Sequence, residues 1–349
     1  MPIKVLVVDD SALIRSLLSE IIKQDPELTL VGVAADAYVA KDMVVKLNPD
    51  VITLDIEMPK VDGLTFLDKL MKAKPTPVLM ISTLTEKGAE ATIRSLELGA
   101  IDFIPKPKLD VAKGIAEYQE EITTKIKIAA KSTPRQAKKN IASINTPPLQ
   151  YKGTEIIVGI GASTGGTEAI KEVLLGLPPS FPATIITQHM PPNFTKSFAT
   201  RLNGVCKITV KEAEHRERLL PGNVYIAPGD KHIEIARSGA DYRIKFNDGP
   251  LVSGHKPSVD VMFESLAKTV GKNAVATLLT GMGRDGAQGL LSLKNAGAIT
   301  MAQDEASCVV FGMPRVAIEL GATNNVVPLE SMNKALIQAV ESKGAGTRL

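Results

Sequence analysis

Short apolar runs alternate with helix-period patterns along the first part of the chain. The run at residues 5–8 is followed by apolar side chains that recur every three to four positions over residues 13–22, which is typical of one buried face of a helix. The same alternation recurs three times, with strands at 51–54, 78–82 and 102–104. Strands that alternate with helices predict a parallel sheet with helices on both faces.

A second alternating pattern begins at residue 155. Its strand candidates are residues 156–160, 184–188, 274–279 and 299–302. Between them, residues 205–247 carry apolar side chains with period two on both sides of Ser238-Gly239, a pattern that predicts a β-hairpin. We expect a second α/β domain whose sheet is mainly parallel, with an antiparallel hairpin portion.

Residues 123–152 interrupt these patterns. They contain three prolines and seven basic residues but no acidic one, which is typical of a linker. The whole chain has a net charge of +3, so the +7 of this segment leaves −4 for the two folded parts. We predict a domain at 1–122, a solvated tether at 123–152 and a domain at 153–345.

Composition narrows the class of protein. Apolar residues are 44% and charged residues 23% of the chain, as in globular domains, and a net charge of only +3 argues against a nucleic-acid partner. No apolar run is long enough to span a membrane, and the N-terminus lacks a signal-peptide pattern. Two distant cysteines, Cys206 and Cys308, fit a reducing compartment. We expect a cytoplasmic protein.

Acidic side chains follow the predicted strands of the first domain. Asp9 and Asp10 come after the first strand and Asp55 after the strand at 51–54, and the carboxyl ends of parallel strands meet at one edge of a sheet. Clustered carboxylates require a hard cation such as Mg²⁺. Ser82 and Lys106 follow the next two strands and add a hydroxyl and an amine. A single aspartate would be explained by a helix cap or turn. Three carboxylates, a hydroxyl and an amine at one sheet edge instead suit phosphoryl transfer onto a carboxylate.

These residues lie in motifs that resemble the receiver domain of two-component response regulators. The motifs are Asp9-Asp10-Ser11, Asp55-Ile56-Glu57-Met58-Pro59 with Asp62-Gly63, Pro77-Val78-Leu79-Met80-Ile81-Ser82, and Lys106-Pro107. The resemblance implies a doubly wound, five-stranded parallel sheet, with Asp55 as the residue that accepts phosphate from a histidine kinase.

The same resemblance implies roles for the neighbouring residues. Asp9 and Asp10, with Asp55, would hold Mg²⁺, while Ser82 and Lys106 would contact the phosphoryl group. Phe103 would occupy the aromatic switch position, where receivers often have tyrosine.

A glycine-rich turn follows the first strand of the second domain. Gly161-Ala162-Ser163-Thr164-Gly165 has the G-x-S-x-G spacing of a nucleophile elbow, in which a sharp turn exposes the serine hydroxyl above the sheet. Two other glycine motifs fit less well. A dinucleotide-binding turn needs glycine at position 164, and a P-loop needs lysine at position 167, where the chain has threonine at both.

A histidine and an aspartate complete a candidate triad with this serine. His189 follows the strand at 184–188, and Asp285 follows the strand at 274–279. A parallel sheet would bring both to the same edge as Ser163. A serine nucleophile, a histidine base and an aspartate that orients the imidazole form the set that acyl transfer needs.

The other histidines are weaker candidates for the base. His255 precedes a helix that Ser258 would cap, and it is the main rival and a candidate to line the site. His215 lies among charged residues and His232 begins a hairpin strand, so we expect exposed and structural roles for them. The order Ser, His, Asp also differs from the Ser, acid, His order of α/β-hydrolases, which disfavours an α/β-hydrolase that acts on a small ester.

The serine turn, the Gln188-His189-Met190 turn and the segment 280–286 resemble the catalytic domain of chemotaxis protein-glutamate methylesterases. The resemblance implies hydrolysis of glutamate γ-methyl esters on methyl-accepting chemoreceptors, and deamidation of receptor glutamines, without a cofactor in this domain. By family analogy, the Met282 N–H belongs to the oxyanion hole. From its position beside Ser163, we expect Thr164 to help orient His189.

Two domains of these kinds in one chain suggest a means of control. A tethered receiver could cover the esterase site, and phosphorylation of Asp55 by the chemotaxis histidine kinase would then relieve the inhibition. We expect a monomer. The alternative is a non-enzymatic response regulator whose second domain binds a partner or DNA, but no short helix-turn-helix pattern follows the linker.

Overall fold

The computed structural model of the chain describes residues 1–106, 114–132 and 155–345. The chain divides into two compact units between Lys139 and Asn140. None of the helices in the described ranges is both long and apolar enough to cross a membrane.

The first unit contains a five-stranded sheet. Its strands are β1 (Ile3–Val8), β2 (Leu28–Ala34), β3 (Val51–Asp55), β4 (Val78–Ser82) and β5 (Asp102–Pro105), and its helices are α1 (Ala12–Gln24), α2 (Ala37–Leu47), α3 (Gly63–Ala73), α4 (Glu86–Glu97) and α5 (Gly114–Lys131). All neighbouring strands are parallel, in the order β2-β1-β3-β4-β5. The winding reverses between β1 and β3, so the carboxyl ends of these two strands border the crevice of the sheet. The predicted doubly wound, five-stranded fold is confirmed.

Helix α5 continues past residue 122, where we predicted the end of the first domain. Ile126 and Ala129 on the extension are buried, and Lys125 and Lys127 form ion pairs with carboxylates of the first unit. The start of the tether therefore does not coincide with residue 122, because the lysine-rich sequence obscures a helical periodicity. The rest of the predicted tether lies outside the described residues.

The second unit is built on a seven-stranded sheet. Its strands are β6 (Ile157–Ala162), β7 (Ala183–Gln188), β8 (Thr209–Glu212), β9 (Asn223–Ile226), β12 (Ala274–Leu278), β13 (Ile299–Gln303) and β14 (Asn325–Val327), and two further strands, β10 (His232–Ser238) and β11 (Asp241–Asn247), form a separate antiparallel hairpin. The main sheet has the order β14-β13-β12-β6-β7-β9-β8, with all neighbours parallel. The predicted mainly parallel α/β fold with an antiparallel hairpin is confirmed. Within residues 205–247, however, only β10 and β11 pair as a hairpin, because β8 and β9 extend the parallel sheet.

Within residues 155–345, six α-helices pack around this sheet. They are α6 (Gly166–Leu175), α7 (Phe194–Asn203), α8 (Val259–Thr269), α9 (Ala287–Asn295), α10 (Met313–Glu319) and α11 (Leu329–Ala345). The central strands β6, β7 and β12 are buried along their whole length, and Phe263 and Leu266 of α8 lie fully buried in the core beside them. Burial on both faces makes these three strands a rigid support for whatever follows their carboxyl ends.

Candidate active site and acidic cluster

Ser163, His189 and Asp285 lie at the carboxyl ends of three adjacent strands. Ser163 follows β6, His189 follows β7, and Asp285 lies in the loop between β12 and α9. The distance from Ser163 Oγ to His189 Nδ1 is 3.1 Å, and that from His189 Nε2 to Asp285 Oδ2 is 2.7 Å. The structure brings together the three residues that the sequence singled out.

The hydrogen bonds define the proton positions on the imidazole. An ionised carboxylate can only accept, so the short contact with Asp285 requires the proton of His189 to be on Nε2. The lone pair of Nδ1 then faces the hydroxyl of Ser163. This is the tautomer that can take a proton from the serine.

The turn at Ser163 is held through both of its backbone groups. Its N–H donates to Thr280 O (3.0 Å), and its carbonyl accepts from Gly166 N (2.7 Å) and from Gln188 Nε2 (2.9 Å). Gly165 adopts φ +75°, a left-handed conformation that favours glycine. Gln188 and Thr280 lie in the motifs that resemble the catalytic domain, but their local sequence does not indicate that they bond the backbone of Ser163.

The carboxylate of Asp285 accepts four hydrogen bonds. Besides His189, the donors are Ser258 Oγ (2.7 Å), Val259 N (2.7 Å) and Asp260 N (3.1 Å). The last two belong to the first turn of α8, where the helix dipole favours negative charge. Burial opposes ionisation, but the hydrogen bond and charge interaction with His189, and the bonds from Ser258 and Val259, lower the pKa of Asp285 to about 2.

His255 lies beside the imidazole of His189. Its ring stacks on that of His189, with 3.7 Å between centroids and 15° between planes. His232 is buried: its Nδ1 accepts from Ser258 N (3.1 Å), and its Nε2 donates to Pro250 O (2.8 Å). His215 is exposed, and its Nδ1 accepts from the backbone N–H of the hairpin strand β11.

The predicted oxyanion and orienting residues both lie next to the nucleophile. A Cβ at Gly281 would approach Ser163 Cβ to 2.8 Å, so the loop that carries Met282 passes directly over the serine. Within the part of the chain that the structure describes, the Met282 N–H donates no hydrogen bond to another backbone group. Thr164 is buried, and its carbonyl accepts from Thr280 Oγ1 (3.0 Å).

The first unit holds an acidic cluster at the carboxyl ends of β1 and β3. Carboxylate oxygens of Asp9, Asp10 and Asp55 lie within 4.8 Å of one another. Lys106 Nζ is 2.8 Å from Asp55 Oδ2 and 3.2 Å from Asp9 Oδ2. Burial raises the pKa of Asp55 to about 6. The charge of Asp9 adds to this rise, and the hydrogen bond from Lys106 opposes it. Three carboxylates facing one lysine leave excess negative charge, and an all-oxygen set of this kind suits a hard divalent cation.

Ser82 and Phe103 are both buried near this cluster. The Ser82 hydroxyl accepts from Thr92 Oγ1 (2.7 Å) and is within bonding distance of Gly88 O (3.3 Å), so α4 engages it. The carbonyl of Phe103 accepts from Lys125 Nζ (2.7 Å), which lies 5.6 Å from the centroid of the phenyl ring. Lys106 therefore contacts Asp55 directly, while the two other predicted receiver residues contact α4 and α5.

Two protein families match different parts of the chain. The CheB methylesterase family matches residues 158–336, and the response regulator receiver domain family matches residues 5–115. A crystal structure of the Thermotoga maritima CheB methylesterase catalytic domain is similar, with a TM-score of 0.52 and 38% identity, over 52% of this chain and 97% of that chain.

Similarity also extends over the full length. The chain is 58% identical to a Pseudomonas aeruginosa protein named protein-glutamate methylesterase/protein-glutamine glutaminase 2, over 100% of both chains. It is 55% identical to a Paraburkholderia xenovorans protein-glutamate methylesterase/protein-glutamine glutaminase, over 98% of each. The chain therefore belongs to the CheB methylesterase family, as an enzyme of the protein-glutamate methylesterase and protein-glutamine glutaminase class that carries a response regulator receiver domain.

Proposed function

We propose that this chain is a chemotaxis response regulator that removes methyl groups from glutamate γ-esters of methyl-accepting chemoreceptors and deamidates receptor glutamines, using Ser163, His189 and Asp285 as a catalytic triad. A continuous hydrogen-bonded chain from Ser163 Oγ through His189 to Asp285 carries this proposal. Relatives over the full length are named for these two activities. Both reactions replace the group on the γ-carbonyl carbon of a glutamyl side chain, so one nucleophile serves both.

Acylation begins at the serine hydroxyl. His189 Nδ1 takes the proton as Ser163 Oγ attacks the γ-carbonyl carbon, and the ionised carboxylate of Asp285 stabilises the imidazolium through Nε2–H. The tetrahedral oxyanion is stabilised by the Met282 N–H and by the positive end of α6, which begins three residues after the serine. Thr164 keeps the imidazole oriented.

The leaving group departs with the proton from His189. An ester releases methanol and an amide releases ammonia, and either leaves the glutamyl side chain bonded to Ser163 Oγ. His189 then takes a proton from water, the hydroxyl adds to the acyl carbon, and the proton returns to Ser163 as the free carboxylate leaves. No metal is needed at any of these steps.

Mass measurement of receptor peptides tests the proposed function. Incubation of methylated receptor with the full-length protein is expected to remove one CH₂ from each methyl ester and to convert selected amide side chains to carboxyl groups. A fluorophosphonate probe is expected to label Ser163. Unchanged peptide masses together with an unlabelled serine would instead favour a second domain that only binds a partner.

The acidic cluster supports phosphoryl transfer in the receiver. Asp9, Asp10 and Asp55 would hold Mg²⁺, which supplies positive charge against the phosphoryl oxygens when bound. The chemotaxis histidine kinase is the phosphodonor, and Asp55 is the acceptor. Lys106 contacts the phosphoryl group once its bond with Asp55 is exchanged, and Ser82 does so once its hydroxyl leaves Thr92, with Phe103 moving as the aromatic switch. We place the protein in the cytoplasm as a monomer, with a receiver that includes the whole of α5 and an esterase domain at 153–345.

Mg²⁺ is expected to stabilise the receiver. Binding to the folded state alone adds about 2.7 kcal/mol at a concentration 100 times Kd, and the melting temperature of the receiver should rise accordingly. Thermal unfolding of the full-length protein with and without Mg²⁺ measures the effect. Asp10→Asn is the matched variant, because Asp10 is the exposed member of the cluster, and it should abolish most of the shift. An equal shift in this variant would exclude the acidic cluster as the site.

Phosphorylation of Asp55 is expected to accelerate demethylation. A small-molecule acyl phosphate should stimulate the full-length protein, whereas Asp55→Asn should keep its basal rate and lose the stimulation. If inhibition comes from a receiver that covers the esterase site, the fragment 153–349 should be faster than the unphosphorylated full-length protein. Stimulation of Asp55→Asn would show that another residue is the acceptor, and a fragment no faster than the intact chain would rule out inhibition by covering.

A further inference from the structure

Helices α8 and α9 begin side by side. At the start of each helix, backbone N–H groups donate to a carboxylate that lies at the start of the other. Asp285, which precedes α9, accepts from the N–H groups of Val259 and Asp260 in the first turn of α8. Asp260 in turn accepts from Gly289 N (2.8 Å), in the first turn of α9, and from the Gly286 N–H. The orienting carboxylate of the proposed triad is therefore one half of a reciprocal pair of helix caps.

Helix α9 cannot cap itself. Its N-cap residue is Gly286, which has no side chain to bond the free N–H groups of the first turn. Asp260 supplies this missing acceptor from the neighbouring helix. The carboxylate thus ties the start of α9, and with it the preceding residue Asp285, to the start of α8.

Two glycines allow the helices to approach this closely. A Cβ at Gly289 would lie 2.7 Å from Phe263 Cβ and 3.0 Å from Asp260 O. A Cβ at Gly286, where φ is +86°, would lie 2.5 Å from Val259 Cγ1. A side chain at either position would force α9 away from α8 and would stretch the bonds around Asp285.

We propose that Asp260 is a positioning residue of the esterase: by capping α9 it fixes Asp285, and through Asp285 it fixes the imidazole of His189 with Nδ1 on Ser163 Oγ. This inference rests on the proposed triad. Asp260 touches neither the nucleophile nor the base, so it acts on the rate of the reaction through geometry. Its loss lowers kcat and leaves KM for the receptor unchanged.

The cap requires an acceptor oxygen at position 260 and does not require a negative charge there. Burial raises the pKa of this carboxyl to about 6, and the neighbouring charge of Asp285 adds to the effect. An amide at this position still offers an oxygen to the Gly289 N–H and gains an N–H that can donate to Asp285. Asp260→Asn therefore preserves the cap, whereas Asp260→Ala removes it.

Steady-state demethylation by full-length variants tests the proposal. Asp260→Ala is expected to lower kcat by about 10- to 100-fold, the scale of a small misplacement of reacting groups, with KM unchanged, and Asp260→Asn to restore kcat to within about threefold of the parent protein. Glu264→Ala is the matched control, because Glu264 lies one turn further along α8 and accepts from Ser292 Oγ of α9 (2.6 Å) without touching Asp285. It should keep the parent kcat.

A second variant and a spectroscopic readout make the test independent of folding. Gly289→Ala leaves the Asp260 carboxylate in place but pushes α9 away, and it should lower kcat in the same way. In both damaging variants, the downfield proton resonance of His189 Nε2–H should move upfield, while Glu264→Ala leaves it unchanged.

Specific outcomes overturn the proposal. One is a parent-like kcat in Asp260→Ala or Gly289→Ala. Another is an Asp260→Asn variant as slow as Asp260→Ala. A third is a fall in kcat in Glu264→Ala as large as that in Asp260→Ala. Ser163→Ala assayed in parallel separates this inference from the proposed function. Activity in that variant would remove the triad itself, while an inactive Ser163→Ala beside a fully active Asp260→Ala would remove only the role of Asp260.

Discussion

Ser163→Ala in the full-length protein is expected to lower kcat for receptor demethylation by at least ~10³-fold, because the members of a triad act as a unit. The hydroxyl at 3.1 Å from His189 Nδ1 is the only part of the side chain that the substitution removes. The fold should survive, since both backbone groups of Ser163 keep their hydrogen bonds.

The rate is measured as release of methanol from methylated receptor at saturating substrate. Ser238→Ala is the matched control, because Ser238 is an exposed serine at the end of β10, and it should keep the parent rate. Deamidation of receptor glutamine should fall together with demethylation if one nucleophile serves both reactions. Near-normal turnover by Ser163→Ala would end the assignment of the nucleophile.

Asp285→Asn is expected to lower kcat by about 10³- to 10⁴-fold, the cost of holding a triad histidine in the wrong tautomer. Asp285 accepts from Ser258, Val259 and Asp260 as well as from His189. An amide has only one oxygen, so its NH₂ group must face at least one of these donors. Where it faces Nε2, the imidazole carries its proton on Nδ1 and cannot take the proton of the serine.

The comparison with Asp260→Asn makes this prediction specific. Both substitutions change a buried carboxylate to an amide in the same pair of helix caps, yet only the one at 285 contacts the imidazole. We expect a large fall in kcat at 285 and a small one at 260, with similar melting temperatures. Equal rates in the two variants would show that Asp285 does not set the state of His189.

The ionisation of Asp285 also makes the stability of the fold depend on pH. Folding lowers the pKa of this carboxyl from 3.8 to about 2. Its contribution to stability is therefore fully present above about pH 3.8 and is lost as the pH falls through about 2. Loss of activity between pH 5 and 7 would consequently report the ionisation of a group other than Asp285.

Much of the candidate site could be predicted from the positions of the strand ends. Strands β6, β7 and β12 are fully buried and have long apolar runs, so their ends are easy to locate and the polar residues after them share one edge. β2 is harder to locate, because only its first and last residues are buried and Gly32 interrupts its apolar pattern. The parallel pairing of β8 and β9 could not be told from a hairpin, since period two is common to both arrangements.

The residues whose contacts in the site could not be predicted act over long distances in sequence. Thr280 and Gln188 bond the backbone of Ser163, and Asp260 bonds a helix that begins 27 positions later at Ala287. Their local sequences suggest only a strand end or an N-terminal helical turn. The paired glycines at 286 and 289 are the one signal that could have indicated close helix packing at this point.

The strand that precedes Ser163 lies between the strand that precedes His189 and the strand that precedes Asp285. Ser163 and His189 are 26 positions apart, but His189 and Asp285 are 96 apart. In a chain that has folded only as far as β7, Ser163 and His189 would be close together, but Asp285 would not yet be in place to orient the imidazole. If these three residues form the triad, esterase activity requires the pairing of β12 with β6, and during refolding it should return only after that long-range step.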